Sequence, residues 1–321
     1  MIKKLKAKKS FKERIKDHIE LFKYSMKNYW FLYLIILPGA ITVVIYKYGP
    51  MILQAILAFT EYNFADGIFG SPFVGINNFK ILFTEVPTIG QVIKNTVFMS
   101  IGTFACGFFP PLILAVMLFD LQSSRFRKFA QTIVYIPHFF SWVIVFSIVY
   151  GLLSNSGLIN SLISRMGSNK IDFLLEPKAI RWILLITYTW KNIGWGTIIY
   201  LAAMQGIDVN LYDAAKIDGC GPFRRIFAVT LPSIRHITFF LLILAMGGLL
   251  SGGDTQQILL FYNPSTYAKA DTIGTWIYRD GFLTFDYSLG ASLSFLQSTI
   301  GMILVLIANK ISTKKVGVGI W

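Results

Sequence analysis

Charged residues are scarce in this chain, and acidic ones most of all. Only 14% of the 321 residues are Asp, Glu, Lys or Arg, with 16 carboxylates against 30 basic groups. A soluble domain carries about a quarter charged residues, so a soluble globular enzyme is excluded at the outset. The two cysteines, Cys106 and Cys220, stand far apart with no CxxC spacing, which excludes a disulfide framework and a cysteine zinc site. Three scattered histidines, His18, His138 and His236, offer no metal-ligand pattern. No GxxxxGK[ST] loop occurs, so nothing in the sequence can cradle a nucleotide phosphate.

What the chain has in quantity is apolar and aromatic residues, 55% and 16%, with a mean hydropathy of +0.59. The predicted fold class is an all-α integral membrane protein. A spanning helix needs about 20 mostly apolar residues, and six windows qualify: 30–58, 95–119, 129–153, 180–204, 236–260 and 288–310. Pro110–Pro111 and Pro137 predict kinks inside two of them. The excess positive charge sits between the windows rather than over one soluble face, which argues against nucleic acid and for the positive-inside rule. Twenty Lys and Arg fall in the N-terminal arm, 120–128, 206–235 and the tail; nine fall in the alternate loops. That asymmetry predicts a multi-pass plasma-membrane protein with both termini in the cytoplasm.

The expected organisation is a basic arm at 1–29, a six-helix domain at 30–310 and a short tail at 311–321. No cleavage site follows the first apolar run, so it reads as an uncleaved helix. Within the arm, Phe11, Ile15, Ile19, Phe22 and Met26 recur at helical spacing opposite lysines, the pattern of a helix lying on a membrane surface.

The cytoplasmic loop 205–235 carries the most informative pattern. Asp208 can cap a short helix through Ala214 and Ala215. Asp218-Gly219 ends it, because Gly accepts the left-handed conformation at a helix C-terminus. Pro222 suits the first turn of a second helix, and Leu231-Pro232 stops that one where the chain re-enters the membrane. Such a helix–turn–helix is either an ordinary connection or a docking knob, whose basic half (Arg224, Arg225) would meet acidic groups on a partner. The residues alone leave both open.

The spacing Asp213-Ala214-Ala215-x-x-Asp218-Gly219, with Leu231-Pro232 ending the stretch, resembles the EAA signature of ABC importer permeases. Asp213 stands where the family usually has Glu, and Cys220 where it usually has Ala. Further similarity covers nearly the whole chain from about Trp30: Tyr46-x-x-Gly49-Pro50-Met51, Val74-Gly75-x-Asn77-Asn78-Phe79, Asn95-Thr96, Gly252-Gly253-Asp254, Tyr262-Asn263-Pro264 and Tyr278-Arg279-x-Gly281. These resemble the carbohydrate-uptake branch, the MalF-like inner-membrane components of binding-protein-dependent transport that import complex oligosaccharides.

The resemblance implies a permease without enzyme activity of its own. Its partners would be a second related permease, two ATPase subunits that bind ATP and Mg, and an extracellular solute-binding protein. It also implies that Asp213, Ala214, Ala215, Asp218 and Gly219 dock the ATPase. The family's sugar contacts lie at comparable distances either side of the signature, which makes Tyr188, Asn192, Trp195, Gly248 and Ser251 candidates for carbohydrate binding; Lys191 joins them because an ionisable group inside a membrane helix is costly to expose to lipid. Each has a plainer reading, as an interface aromatic, a helix–helix hydrogen bond or a close-packing glycine. Lys191 would attract an anionic sugar or pair with Asp254. The rival function is an ion-gradient-driven transporter, which would need membrane carboxylates that the apolar windows almost entirely lack.

Overall fold

A computed structural model describes residues 11–317 and 319–320. Among them the protein is helical throughout, with one isolated bridge pairing Thr60 and Phe73. It divides into two compact units, residues 1–56 and 57–321.

The first unit is built on helix α1, Phe11–Val43, which bends at Tyr29, where the backbone leaves helical geometry. The turn that follows, Val44–Tyr48, is a π-turn, and Gly49 begins helix α2, Gly49–Ala58. Pro50 explains the wide turn: its ring would clash with a carbonyl one helical turn back, and the extra residue relieves the clash. The helix thus begins well before the predicted window. Most side chains of the expected surface stripe, from Phe11 to Phe22, lie outside the described residues.

In the second unit, α3 (Ile89–Phe119) continues unbroken through Pro110 and Pro111. Then come α4 (Ser124–Tyr135), α5 (Trp142–Leu153), α6 (Leu158–Arg165) and α7 (Pro177–Gln205). The short helices α8 (Val209–Ile217) and α9 (Pro222–Arg225) precede α10 (Arg235–Gly247), α11 (Thr255–Phe261) and α12 (Tyr287–Val316).

Two predicted windows are corrected. Window 129–153 is not one helix: α4 passes into a tight 3-10 turn at Ile136–Phe139, and α5 starts afresh with the Ser141 hydroxyl accepting from the Ile144 amide at 3.3 Å. Pro137 has no N–H to continue α4, so the expected kink is a break. Window 236–260 also ends early. Gly252 and Gly253 hold φ of 72° and 100°, and Asp254 caps the separate helix α11.

By length and apolarity, four stretches among the described residues are fit to cross a membrane: Lys23–Ala58, Ile89–Phe119, Trp142–Arg165 and Tyr287–Lys314. The pair Pro222–Ser233 and Arg235–Ser251, bent by 67° at the break between them, makes a fifth if the two count as one span. Helix α7 has 29 residues but is too polar to join them on composition.

Helices α3 and α7 run side by side in the same direction. At one end the Arg181 guanidinium donates to Asn95 Oδ1 at 2.6 Å and to the Lys269 carbonyl at 2.8 Å, while lying over the Phe98 ring. At the other end Ala115 and Leu118 share a buried cluster with Tyr200, Met204 and Ile234. Between them the backbones come close: a Cβ on Gly196 would lie 2.8 Å from the Pro111 ring. Two residues back on α7, Gly194 meets α4 instead, where a Cβ would come 2.0 Å from the Val134 carbonyl oxygen. Two positions on a helix turn through about 200°, so one Gly-Trp-Gly segment serves two interfaces.

Candidate functional site

The loop between α7 and α10 is a helix–turn–helix. The Asp208 carboxylate accepts from the Asn210 amide at 3.0 Å and starts α8. At its far end Gly219, at φ 70°, donates to the Lys216 carbonyl at 3.0 Å, and the Cys220 amide donates to that of Ala215 at 2.8 Å. Those paired bonds are the Schellman arrangement, which needs a left-handed residue and so favours glycine. Pro222 opens α9, and a π-turn at Ile226–Thr230 carries the chain to Leu231-Pro232.

Asp213, Ala214, Asp218 and Gly219 all stand exposed on this knob, with Ala215 half-buried behind them. Nothing lies within 4 Å of where a Gly219 Cβ would be. Asp213 pairs with Lys216 at 2.9 Å, both more than half exposed, a surface pair of little energetic weight. Around the tip, Ile217, Phe223 and Phe227 are 87%, 80% and 71% exposed. Arg225 differs from expectation: it turns back onto Asp120 at the end of α3, at 3.2 Å, rather than outward.

The second feature is a cavity of about 590 Å³ between α3, α7, α10 and the segment after α10. Tyr188, Trp195, Gly248 and Ser251 all line it. Trp195 is half exposed and stacks on His138, with ring centroids 4.5 Å apart and planes 6° from parallel. Lys191 and Asn192 are not among the residues that line the cavity. The Lys191 ammonium is buried and donates to the His138 carbonyl at 2.7 Å, and the Asn192 amide donates along its own helix to the Tyr188 carbonyl. Lys191 and Asp254 form no ion pair. Trp142 stands between them, its indole N–H donating to Asp254 Oδ2 at 2.6 Å and its ring 5.4 Å from the Lys191 nitrogen. Among the described residues Asp254 is therefore the charged one on the cavity wall, which none of their Lys or Arg side chains lines.

The α3 contribution to the cavity was missed in the sequence: Ser100, Thr103, Phe104, Gly107 and Phe108. Their steps of one, three and four along a single helix were a legible signal, since small and hydroxyl residues at that spacing mark one face of an apolar helix. Likewise the sequence offers no pairing for its loop carboxylates, yet Asp271 and Asp280 meet on the Arg279 guanidinium at 2.8 and 2.6 Å. Burial works against the Arg279 charge, but those two bonds outweigh it and raise its pKa. The triad is a structural tie, with Asp271 also accepting from the Thr275 hydroxyl at 2.7 Å.

The model of the family described as "binding-protein-dependent transport system inner membrane component" matches residues 96–314, a stretch that contains both the knob and the cavity. The chain belongs to this family. At 40% identity it is similar to the polygalacturonan/rhamnogalacturonan transport system permease protein YteP of Bacillus subtilis (strain 168), over 88% of each chain. Its fold matches a chain of a bacterial ABC transporter involved in the import of the acidic polysaccharide alginate, with a TM-score of 0.83 at 35% identity. That match covers 92% of this chain and 99% of the other. A second structure of a bacterial alginate transporter, in complex with a periplasmic protein bound to alginate pentasaccharide, matches with the same TM-score at 34% identity. The protein is thus a membrane permease subunit of an ABC importer, of a kind with transport subunits rather than enzymes.

Proposed function

We propose that this chain forms one half of a six-helix-per-subunit translocation pathway for an oligosaccharide handed over by an extracellular binding protein. The carrying observation is the 590 Å³ cavity with an aromatic wall, Tyr188 and Trp195, beside the small and hydrogen-bonding groups Gly248 and Ser251. Aromatic faces plus hydroxyl and backbone partners are what a sugar ring requires. Uronate-bearing chains are the first to test, because the relatives named above handle polygalacturonan and alginate.

Helix α7 supplies the sixth crossing in this reading. Its 29 residues measure about 43 Å at 1.5 Å each, enough for a hydrocarbon core of about 30 Å. Its polar residues lower its hydropathy, yet Thr187, Lys191 and Thr197 among them are buried inside the protein rather than exposed to lipid. Both termini and the knob then lie in the cytoplasm, in keeping with the Lys and Arg asymmetry. There the knob takes the place of a coupling element: Asp213, Ala214, Ala215, Asp218 and Gly219 meet an ATPase subunit. A second permease completes the pair above two ATPase subunits, which bind ATP and Mg. Closure of the ATPases rocks the helices about the central cavity.

The test is uptake by proteoliposomes holding the full complex, with oligogalacturonide, alginate and malto-pentasaccharides as probes. The expected result is binding-protein-dependent accumulation of an oligosaccharide that stops without ATP and ignores dissipated ion gradients. Uptake that follows an ion gradient and ignores ATP contradicts the proposal.

A further inference from the structure

The knob must pass its movement to the cavity, and one contact outside the signature is placed to carry it. Asp120 caps the C-terminus of α3, with its amide bonded to the Val116 carbonyl. A carboxylate at a helix C-terminus opposes the helix dipole, so this position calls for a cation. Arg225, the last residue of α9, supplies it, with Nη2 donating to Asp120 Oδ1 at 3.2 Å. The Asp120 and Arg225 side chains are 33% and 23% exposed, which sets the pair apart from the more exposed one on α8. The guanidinium also lies over the Tyr212 ring of α8, 5.6 Å from its centroid. Tyr212 in turn packs on Phe119 of α3, centroids 6.1 Å apart, and its hydroxyl shares a hydrogen bond with buried Thr230 at 3.1 Å. Both arms of the knob are therefore gripped at the same end of α3.

Helix α3 continues from that point as a single element to Phe108, Gly107, Phe104, Thr103 and Ser100 on the cavity wall. We propose that Asp120 and Arg225, steadied by Tyr212, form a pin that makes the knob and α3 move as one body. They are positioning residues: they touch neither sugar nor nucleotide, but set how far ATP-driven movement of the knob shifts the cavity wall. The inference rests on the reading of the knob as the ATPase-docking element.

The test uses the whole complex in nanodiscs, in a background free of Cys106 and Cys220, with Phe104→Cys as a reporter on the cavity wall. Its rate of labelling by a polar maleimide is compared without nucleotide and after trapping with ATP and vanadate. In the otherwise unaltered pin the rate changes by at least about five-fold, the scale of an ordinary coupling between sites. Asp120→Asn and Arg225→Gln each reduce the change to less than about two-fold while the ATPase still co-purifies, and Asp120→Arg with Arg225→Asp restores it. A merely structural contact would lower the yield of complex and leave the nucleotide response of what assembles intact. The pin is overturned if the single variants keep the full response, if the exchanged pair fails to restore it, or if the single variants lose the ATPase. A reporter that ignores nucleotide with the pin intact overturns the docking reading together with it.

Discussion

Single atoms decide how closely this permease packs. Gly194 sits where α7 crosses α4, and any side chain there meets the Val134 carbonyl oxygen at 2.0 Å. Backbone cannot rotate aside as a side chain does, so Gly194→Ala forces the helices apart, at a cost of roughly 1–3 kcal/mol. Gly90, in the first turn of α3, has nothing within 4 Å of the same position. Gly90→Ala therefore leaves stability unchanged or raises it by a few tenths, up to about 1 kcal/mol. Thermal unfolding in detergent should show Gly194→Ala melting several degrees below the parent and Gly90→Ala at or above it. Equal melting of the two variants would contradict the packing. The sequence pointed to Trp195 as an aromatic of interest but gave no means to rank the glycines on either side. A glycine required by a neighbour's carbonyl and one merely tolerated look alike until the neighbour is known.

The boundaries between elements follow local chemistry. Pro137 and Ser141 end one helix and begin the next; Gly252, Gly253 and Asp254 do the same beyond α10. Asp254 performs two tasks: Oδ1 accepts from the amides of Gln256 and Gln257, and Oδ2 accepts from the buried Trp142 indole. Asp254→Asn keeps a capping oxygen but offers the indole an amide donor, so it should lose one bond. Asp254→Ala should lose the cap, worth about 1 kcal/mol, and also strand the indole N–H for another 1–3 kcal/mol or so. Unfolding should thus rank parent above Asn above Ala; an Ala variant as stable as the Asn variant would refute the double role. The sequence revealed these breaks only in part. Apolar windows of helical length ran across both, because hydropathy does not register a missing N–H or a positive φ. The knob was legible in detail for the opposite reason: its Asp cap, terminal glycine and first-turn proline are all short-range signals.

At the scale of the molecule, composition was enough to read a helical membrane protein, and the spacing around Asp213 and Gly219 to read its family. Cavity lining was harder. Tyr188 and Trp195, seven residues apart on one face, line the cavity; between them Lys191 reaches the His138 carbonyl, and Asn192 bonds back along α7 to the Tyr188 carbonyl. The α3 face was overlooked because Ser100, Thr103 and Gly107 lie scattered among apolar residues, and they become a wall only where α7 and α10 stand opposite. What unites knob, pin and cavity is a single claim, that this chain is driven by an ATPase seated on the loop after α7. The most direct measurement is purification of the complex in mild detergent, with the unaltered chain beside Gly219→Asp and Ala214→Arg. Gly219→Asp puts a side chain at φ 70°, a strain of roughly 1–2 kcal/mol; Ala214→Arg leaves the turn itself alone. The account predicts that the unaltered chain brings an ATPase and a second permease, and that both variants keep the permease and lose the ATPase. An unaltered chain that brings no ATPase, or variants that hold it undiminished, would contradict it.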